Sequence, residues 1–243
     1  MKDSLSKEGK TLIMKHTRTS LALDMHVHVD EHVNYQLIPT ILRARGLDGA
    51  GLLTHNDLPF AMKVAKMLQA IDKQKIYLPG VELDTSQGHL VVFGIDKAIP
   101  PELSPEETIE LAKDLGGISI IPHPFMSHNS LGWKVQELKA NAIEFLNGFA
   151  KVFLNIPNIM TKIAFRNNGF SEVGGSDAHY AFAIGSCYSL IETYGSTKRA
   201  AVLEAISNQR VIPRKKPLDH YDLMNFFRIV FGEKRHGRKI IRI

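Results

Sequence analysis

The chain has 243 residues, of which 44% are hydrophobic, and its formal net charge is +5. This length and apolar content predict a single domain with a sizeable core, and no apolar run is long enough to predict a membrane-spanning helix. The first 20 residues are too polar to predict a secretory signal, so we expect a soluble, cytoplasmic protein that has no membrane partner. The single cysteine, Cys187, excludes an internal disulfide and a cysteine-rich zinc site.

Strand-like apolar runs alternate along the chain with segments of helical periodicity. The predicted strands are 21–28, 49–55, 76–83, 89–95, 118–121, 142–146, 172–173 and 186–192. The polar turn between strands 76–83 and 89–95 predicts that these two form a hairpin. The predicted helices are 37–45, 58–71, 104–115, 133–139, 158–166 and 197–208. Strands separated by helices predict mainly parallel pairing in an α/β barrel that is closed or nearly closed.

Metal-capable side chains recur where these strands end. They are His26, His28, His55, Glu82, His123, Asp177 and His179. His26 and His28 are separated by one residue, so on a strand they share a face with Cα atoms roughly 6.5 Å apart. Because the C-terminal ends of parallel barrel strands open on one rim, the sequence predicts that all seven side chains meet there.

The ligand types indicate the metals and the reaction. A set of His, Asp and Glu without thiolate suits Mn, Zn or Fe, and Mg is also compatible. Seven ligands exceed the four that saturate one tetrahedral ion, so we expect two or three divalent ions, with Glu82 as the bridging carboxylate. Ions held about 4 Å apart can activate water and stabilise both oxygens of a displacement at phosphorus. The expected reaction is phosphoester hydrolysis, with Asp177, His179 and His55 as catalytic residues.

Five segments of the chain resemble the motifs of one known family. They are Asp24-Met-His26-Val-His28, Gly80-Val-Glu82, His123-Pro-Phe125, Ala142-Ile-Glu-Phe-Leu-Asn147 and Gly175-Ser-Asp-Ala-His179. In order and spacing they resemble the PHP (polymerase and histidinol phosphatase) family. The resemblance implies a distorted, TIM-like (β/α)7 barrel in a single domain, with a di- or trinuclear site that hydrolyses histidinol phosphate, nucleotides or short oligonucleotides. The expected organisation is a basic extension over 1–20, the barrel over 21–213, and a basic C-terminal helix and tail over 214–243.

Two departures from the family pattern fall on expected ligands. The family has Ser-Asp-Gly shortly after His-x-His, where this chain has His32-Val33-Asn34, so Asp30 or His32 is the candidate substitute. The family also has Thr-Asp-His after the second strand, where this chain has Thr54-His55-Asn56. We assign His55 rather than Asn56 as the ligand, because imidazole binds these metals better than a neutral amide.

The sequence leaves the substrate and the oligomeric state open. Asn147, Arg166 and His128 are the candidates for orienting ligands or holding phosphate. Lys and Arg residues concentrate at both ends of the chain, which favours a nucleotide or short oligonucleotide over histidinol phosphate. A solvated basic tail is the alternative reading of those ends. A catalytically weak PHP-like barrel that serves as a nucleic-acid-binding or assembly subunit is the alternative function.

Overall fold

A computed structural model describes residues 18–30, 33–126, 129–166 and 168–216. The strands are β1 (Arg18–His28), β2 (Gly49–Leu53), β3 (Ile76–Thr85), β4 (Gly88–Phe93), β5 (Ile118–Ile121), β6 (Ala142–Asn147), β7 (Ser171–Gly175), β8 (Cys187–Tyr194) and β9 (Val211–Lys215). The α-helices are α1 (Ile38–Arg45), α2 (Leu58–Ile71), α3 (Pro105–Asp114), α4 (Ile156–Phe165) and α5 (Arg199–Ser207). Short 3₁₀ helices span Tyr35–Leu37, Gly132–Glu137, Phe149–Phe153 and Ala181–Ala183.

Seven of the strands form a ring. The sheet order is β7-β6-β5-β4-β3-β2-β1-β8-β9, in which β4 runs antiparallel to both β3 and β5. The segment that follows β7 returns to β1, because the amide of Ala178 donates to the carbonyl of His26 (3.2 Å) and the amide of His28 donates to the carbonyl of Ala178 (3.0 Å). These bonds close the ring at the C-terminal end of the parallel strands. The predicted α/β fold, a distorted seven-stranded barrel in a single domain, is therefore confirmed.

Local sequence signals explain where the helices begin and end. The side chain of Ser104 accepts from the amide of Glu107, and the carboxylate of Glu107 accepts from the amide of Ser104, which makes a capping box at the start of α3. Asp57 caps α2 by accepting from the amide of Phe60 (3.1 Å). Helix α1 ends at Gly46, whose φ of 70° is left-handed. These caps keep the connections short, so each helix packs on the outside of the ring beside its own strand.

The interior of the barrel is filled by side chains. Phe93, at the end of β4, is fully buried between β2 and β3. A Cβ on Gly51 would lie 2.7 Å from Cζ of Phe93, and a Cβ on Gly80 would overlap the same ring. Two strands thus carry glycine where they meet the phenyl ring, which fills the barrel interior beside them.

Three features differ from the sequence prediction. Residues 132–137 form a 3₁₀ helix where an α-helix was predicted, and β9 was not predicted because Pro213 interrupts its pattern. Proline is tolerated there because β9 is the edge strand of the sheet. Strand β8 pairs antiparallel with β1, since the chain between Gly175 and Cys187 contains only a 3₁₀ turn and no crossover helix. The predicted C-terminal helix lies outside the described residues. Within the described residues, no helix is both long and apolar enough to span a membrane.

Candidate metal centre

The rim where the ring closes carries a dense cluster of imidazoles and carboxylates. All seven predicted ligands lie in it: His26, His28, His55, Glu82, His123, Asp177 and His179. Two residues that were not predicted, His89 and Glu144, lie beside them. Most of this cluster is buried, although His55 and His179 each keep 30% of the side chain exposed.

Glu82 lies at the centre of the cluster, with each carboxylate oxygen facing a different group of histidines. Its Oε2 lies 3.1 Å from Nε2 of His28, 3.6 Å from Nε2 of His26 and 3.5 Å from Nε2 of His55. The strand end supports this position, because the backbone of His55 bridges that of Glu82 in a parallel sense. This is the arrangement expected of a carboxylate that is shared between two cation positions.

The other oxygen of Glu82 faces two further imidazoles. Its Oε1 lies 3.0 Å from Nε2 of His123 and 3.1 Å from Nδ1 of His89. His89 is held from its other side, where Nε2 lies 2.9 Å from Oδ1 of Asp84, the residue opposite it in the β3–β4 hairpin. Sequence reasoning missed His89 because it considered only the C-terminal ends of strands. Strand β4 is antiparallel, so its first residues lie on the rim.

Asp177 and His179 close the cluster on the β7 side. Oδ1 of Asp177 lies 3.5 Å from Nε2 of His26 and 3.6 Å from Nε2 of His28. The ring of His179 stacks on that of His28 with centroids 4.2 Å apart. Nδ1 of His179 lies 3.1 Å from the carbonyl oxygen of Asp177, and because a carbonyl only accepts, this nitrogen carries the proton. Its Nε2 therefore presents a lone pair.

The donor atoms fall into three groups that could each hold a cation. They are His26, His28 and Glu82; Glu82, His89 and His123; and His28, His55 and His179, with the donor atoms of each group within 4.8 Å of one another. Glu82 and His28 each belong to two groups. The donors are imidazole nitrogens and carboxylate oxygens without sulfur, which fits borderline and hard divalent cations.

Glu144 and Asn147 contact the candidate ligands on the side away from Glu82. Oε1 of Glu144 lies 3.2 Å from Nδ1 of His26, and its Oε2 accepts from the backbone amide of His123 (2.9 Å). The side-chain amide of Asn147 donates to Oε2 of Glu144 (2.8 Å) and to Oδ2 of Asp177 (3.0 Å). Asn147 thus lies where the sequence predicted an orienting residue. An acid inside the apolar run of β6 was the available signal for Glu144.

The structure places the residues at both departures from the family pattern. Oδ2 of Asp30 accepts from the backbone amide of His55 (2.6 Å), and its Oδ1 lies 3.6 Å from Nδ1 of His28. Asp30 therefore faces the back edge of the His28 ring, whose Nε2 faces Glu82. His55 points into the cluster, whereas Asn56 forms two reciprocal hydrogen bonds with Asp84. His32 lies outside the described residues.

Arg166, one of the predicted phosphate-binding residues, lies away from the described site. Arg166 is the C-cap of α4 and lines a surface groove with Phe145, Lys162 and Glu172. Phe145 follows Glu144 on β6, and because successive side chains of a strand face opposite ways, this groove lies on the outer face of the barrel. The sequence predicted a phosphate-binding role for Arg166, and the structure places this residue away from the rim. His128 lies outside the described residues.

Three residues near the rim have a left-handed backbone conformation. Asn56, His123 and Asp177 have φ values of 57°, 29° and 54°, in the left-handed region that side chains rarely adopt. Each of them lies two or three residues after the end of a strand. Such strain persists where surrounding contacts fix the backbone, and it is typical of functional sites.

The charges of the cluster stabilise one another. Burial lowers the pKa of His26, but the carboxylates of Asp177, Glu144 and Glu82 together raise it well above its ordinary value. The pKa of His28 rises to about 10 in the same way, since the nearby carboxylates outweigh its burial. Burial raises the pKa of Glu82, but the adjacent histidines lower it well below the usual range. Glu82 is therefore ionised and able to hold cations at neutral pH.

His179 differs from the other histidines. Its burial and the positive charge of His28 hold its pKa below the ordinary value. The ring is therefore neutral at neutral pH, which is the form that binds a metal or accepts a proton.

Comparison with known proteins agrees with this architecture. A family model described as PHP-associated matches residues 155–211. An uncharacterized protein of Methanocaldococcus jannaschii is 27% identical over 110 residues, which are 45% of this chain and 63% of that protein. The chain thus spans less than two thirds of this relative.

Two solved structures share the fold. One is a two-domain protein from Bacteroides vulgatus containing a predicted PHP-like metal-dependent phosphoesterase, with a TM-score of 0.63 and 17% identity over 86% of this chain and 69% of the other. The second is PsfC from Pseudomonas syringae, with a TM-score of 0.65 and 16% identity over 87% of this chain and 98% of the other. These matches confirm the resemblance of the chain to the PHP family: its fold is similar to that of a PHP-like structure, and residues 155–211 are similar to a family described as PHP-associated.

Proposed function

We propose that the protein is a metal-dependent phosphoesterase. The observation that carries the proposal is the position of Glu82, whose two oxygens face two separate groups of imidazoles. The PHP-like neighbour from Bacteroides vulgatus, which is named for such an activity, supports the same reaction class.

Two or three divalent cations would be held by the three donor groups of the rim. Glu82, with two oxygens, would serve two of the positions, His28 would give its single lone pair to one of the two groups in which it lies, and Asp177 would add a carboxylate beside His26 and His28. Bound cations of this kind supply Lewis-acid stabilisation of phosphoryl oxygens and lower the pKa of water.

The chain's own residues then have distinct roles. Glu144 forms a hydrogen bond with Nδ1 of His26 and thereby orients its ring, and the carboxylate of Asp30 faces the Nδ1 edges of His28 and His55 at 3.6 and 3.5 Å. His179, neutral and partly exposed, presents Nε2 at the open side of the rim, where it can bind a cation or take a proton.

For the substrate we propose a nucleotide or a short oligonucleotide. Phe149 is exposed beside the rim, with its ring centroid 6.3 Å from that of His179, so an aromatic surface adjoins the site. A base that stacks on Phe149 would place its phosphate near the histidines, and such stacking contributes about 1–3 kcal/mol per base in other proteins. The basic ends of the chain supply additional affinity for polyanions.

The proposal is tested by hydrolysis of bis-p-nitrophenyl phosphate and p-nitrophenyl phosphate with added Mn²⁺, which separates diesterase from monoesterase activity. We expect Glu82→Gln to lower kcat at least 100-fold, because it removes the shared negative charge. Asp96→Asn is the matched control, since Asp96 is an exposed acid in a surface groove lined by residues of α2. Wild-type protein that binds no divalent ion in elemental analysis, or that hydrolyses neither ester, would overturn the proposal.

A further inference from the structure

One outer face of the molecule is apolar and has no cover among the described residues. We call it the α4 face, and it consists of exposed side chains of α4 and of the turn that precedes this helix: Phe153, Leu154, Ile156, Ile159, Met160 and Ile163. The exposed fraction reaches 80% at Leu154 and 77% at Ile163. An exposed patch of this kind is typical of an interaction surface.

Helix α4 cannot rotate to bury these side chains. Its inner face is fixed by Asn158, whose side-chain oxygen accepts from the backbone amide of Asn147 (2.9 Å) and whose amide donates to the carbonyl of Asn147 (2.9 Å). Phe165, on the same inner side, is fully buried. A rotation would break both hydrogen bonds and expose Phe165, so the outer side of α4 stays apolar.

The apolar stripe on α4 is symmetric about its own centre. It follows the i, i+3, i+4, i+7 spacing of one helical side, with the residues Ile156, Ile159, Met160 and Ile163. An antiparallel second copy of the helix can place a two-fold axis between Ile159 and Met160. Ile156 then lies opposite Ile163 of the second copy, and the two central residues lie opposite each other. The stripe is therefore complementary to itself, which is what a symmetric dimer requires.

The charges beside the stripe favour the antiparallel arrangement. The sequence has no Asp or Glu from residue 145 to residue 171, whereas Lys162 and Arg166 are exposed. Two parallel helices would bring these cations next to those of the second copy, and like charges repel. The antiparallel arrangement separates the two Arg166 side chains by about 20 Å along the helix axis. Each guanidinium then lies near the exposed ring of Phe153 of the other chain, where a cation–π contact is favourable.

The size of the α4 face fits a stable two-chain interface. A large apolar side chain offers about 200 Å² when it is free, so the exposed fractions of the six residues correspond to roughly 700 Å². The exposed side chains of Lys162 and Arg166 border the stripe and add to this area. Stable interfaces bury about 800 Å² on each partner, so a second copy of the same face supplies the area that is needed.

We propose that the protein forms a symmetric dimer in which the α4 faces of two chains pack antiparallel. Ile159 and Met160 lie at the two-fold axis, and Phe153 lies at the end of the interface. The interface ends beside Phe149, whose ring centroid is 6.3 Å from that of Phe153 and 6.3 Å from that of His179. The second copy thus borders the metal-binding rim at its margin.

Light scattering after size-exclusion chromatography tests the dimer in the full chain. We expect wild-type protein at micromolar concentration to have twice the mass of one chain. Met160→Asp should raise the Kd of the dimer at least 100-fold, because it places two carboxylates beside the two-fold axis. Met67→Asp is the matched control, since Met67 on α2 is 37% exposed and Met160 is 40% exposed. Wild-type protein that is monomeric, because the face has another cover, or Met160→Asp that dimerises as wild type does, would overturn the proposal.

Disulfide trapping tests the antiparallel register. Ile156→Cys and Ile163→Cys proteins are mixed and oxidised, and Cys187 does not compete because it is buried. We expect the mixed disulfide to form at least 10-fold faster than the disulfide between two Ile163→Cys chains, because the two-fold axis places position 156 opposite position 163. A mixture of Ile163→Cys with Ile71→Cys, at a 65% exposed position on α2, is the control for random collision. Equal rates in the three reactions, or the fastest reaction between two Ile163→Cys chains, would contradict the packing.

Discussion

Two buried acids of the barrel have different partners. Asp24 is fully buried and accepts from the backbone amides of Ser176 (2.8 Å) and Gly185 (2.7 Å), which ties β1 to the segments around β7 and β8. Burial raises the pKa of Asp24 to about 6. Glu144 instead contacts His26 and the amide of His123, both in the candidate metal centre. The first acid therefore stabilises the ring closure, and the second orients residues of the candidate metal centre.

The buried thiol of Cys187 gives a prediction for a single residue. Burial raises the pKa of its thiol to about 12 from 9.0, so the folded state keeps the proton where the unfolded chain loses it. The stabilisation is complete below pH 9 and is lost as pH rises from 9 toward 12. We expect native protein to react with a thiol reagent at pH 9 at least 100-fold more slowly than protein unfolded in urea. Equal rates in the two states would show that the thiol is accessible.

Some site residues could not be predicted because their position depends on pairing that one sequence does not reveal. His26 and His28 follow from strand periodicity, and Asp177 and His179 from a glycine-rich strand end. His89 required knowledge that β4 runs antiparallel. The role of Asp30 required the turn after β1, which brings its carboxylate to the amide of His55.

At the scale of elements, close approach of β7 to β1 positions His26. A Cβ on Gly175 would overlap Cβ of His26 and lie 2.7 Å from Oε1 of Glu144 and 2.8 Å from the backbone nitrogen of His26. Backbone atoms cannot move aside as a side-chain end can. Gly175 therefore sets the distance between the strand of the first ligand and the strand that ends at Asp177.

We expect Gly175→Ala to reduce the bound metal per folded chain at least 10-fold, measured by elemental analysis, because it displaces His26 from Glu144. Gly51→Ala is the matched comparison, since its Cβ would lie 2.7 Å from Phe93 and 2.9 Å from the carbonyl of Met25 inside the barrel. Both variants should lose about 1–3 kcal/mol of unfolding free energy in urea. Loss of metal in both, or in neither, would contradict the position assigned to Gly175.

At the scale of the whole molecule, the sequence predicted the alternation of strands and helices and hence the ring. It did not predict that β8 and β9 extend the sheet beyond β1. The ring interior closes with Phe93, and the metal-binding rim stands above that closure, where charged side chains replace apolar ones. The apolar core and the candidate metal centre therefore lie one above the other in the same barrel, and the same strands contribute residues to both.

Because the apolar core and the metal-binding rim belong to the same barrel strands, we expect metal binding to stabilise the whole barrel against unfolding. A cation that binds only the folded chain adds about 2.7 kcal/mol at 100 times its Kd, so Mn²⁺ or Zn²⁺ should raise Tm by roughly 5–10 °C. The measurement is thermal unfolding of chelator-treated protein with and without the ion. Glu82→Gln should remove most of the shift and Asp96→Asn none. Equal shifts in wild type and Glu82→Gln would place the binding elsewhere.

The reversed direction of β4 has a consequence for how this site can diversify. Where two neighbouring strands are parallel, the connection that leaves the rim must be long. The antiparallel strands β3 and β4 are instead joined at the rim by a turn of only two residues, Ser86 and Gln87. Its tip is held by a hydrogen bond from the amide of Ser86 to the carbonyl of Leu103 and by one from the amide of His89 to the carbonyl of Asn129. Residues inserted between Ser86 and Gln87 would form a longer loop beside His89 without displacing a strand. Lengthening this turn is therefore a route by which a barrel of this design could acquire selectivity for larger or smaller molecules while its ligands stay in place.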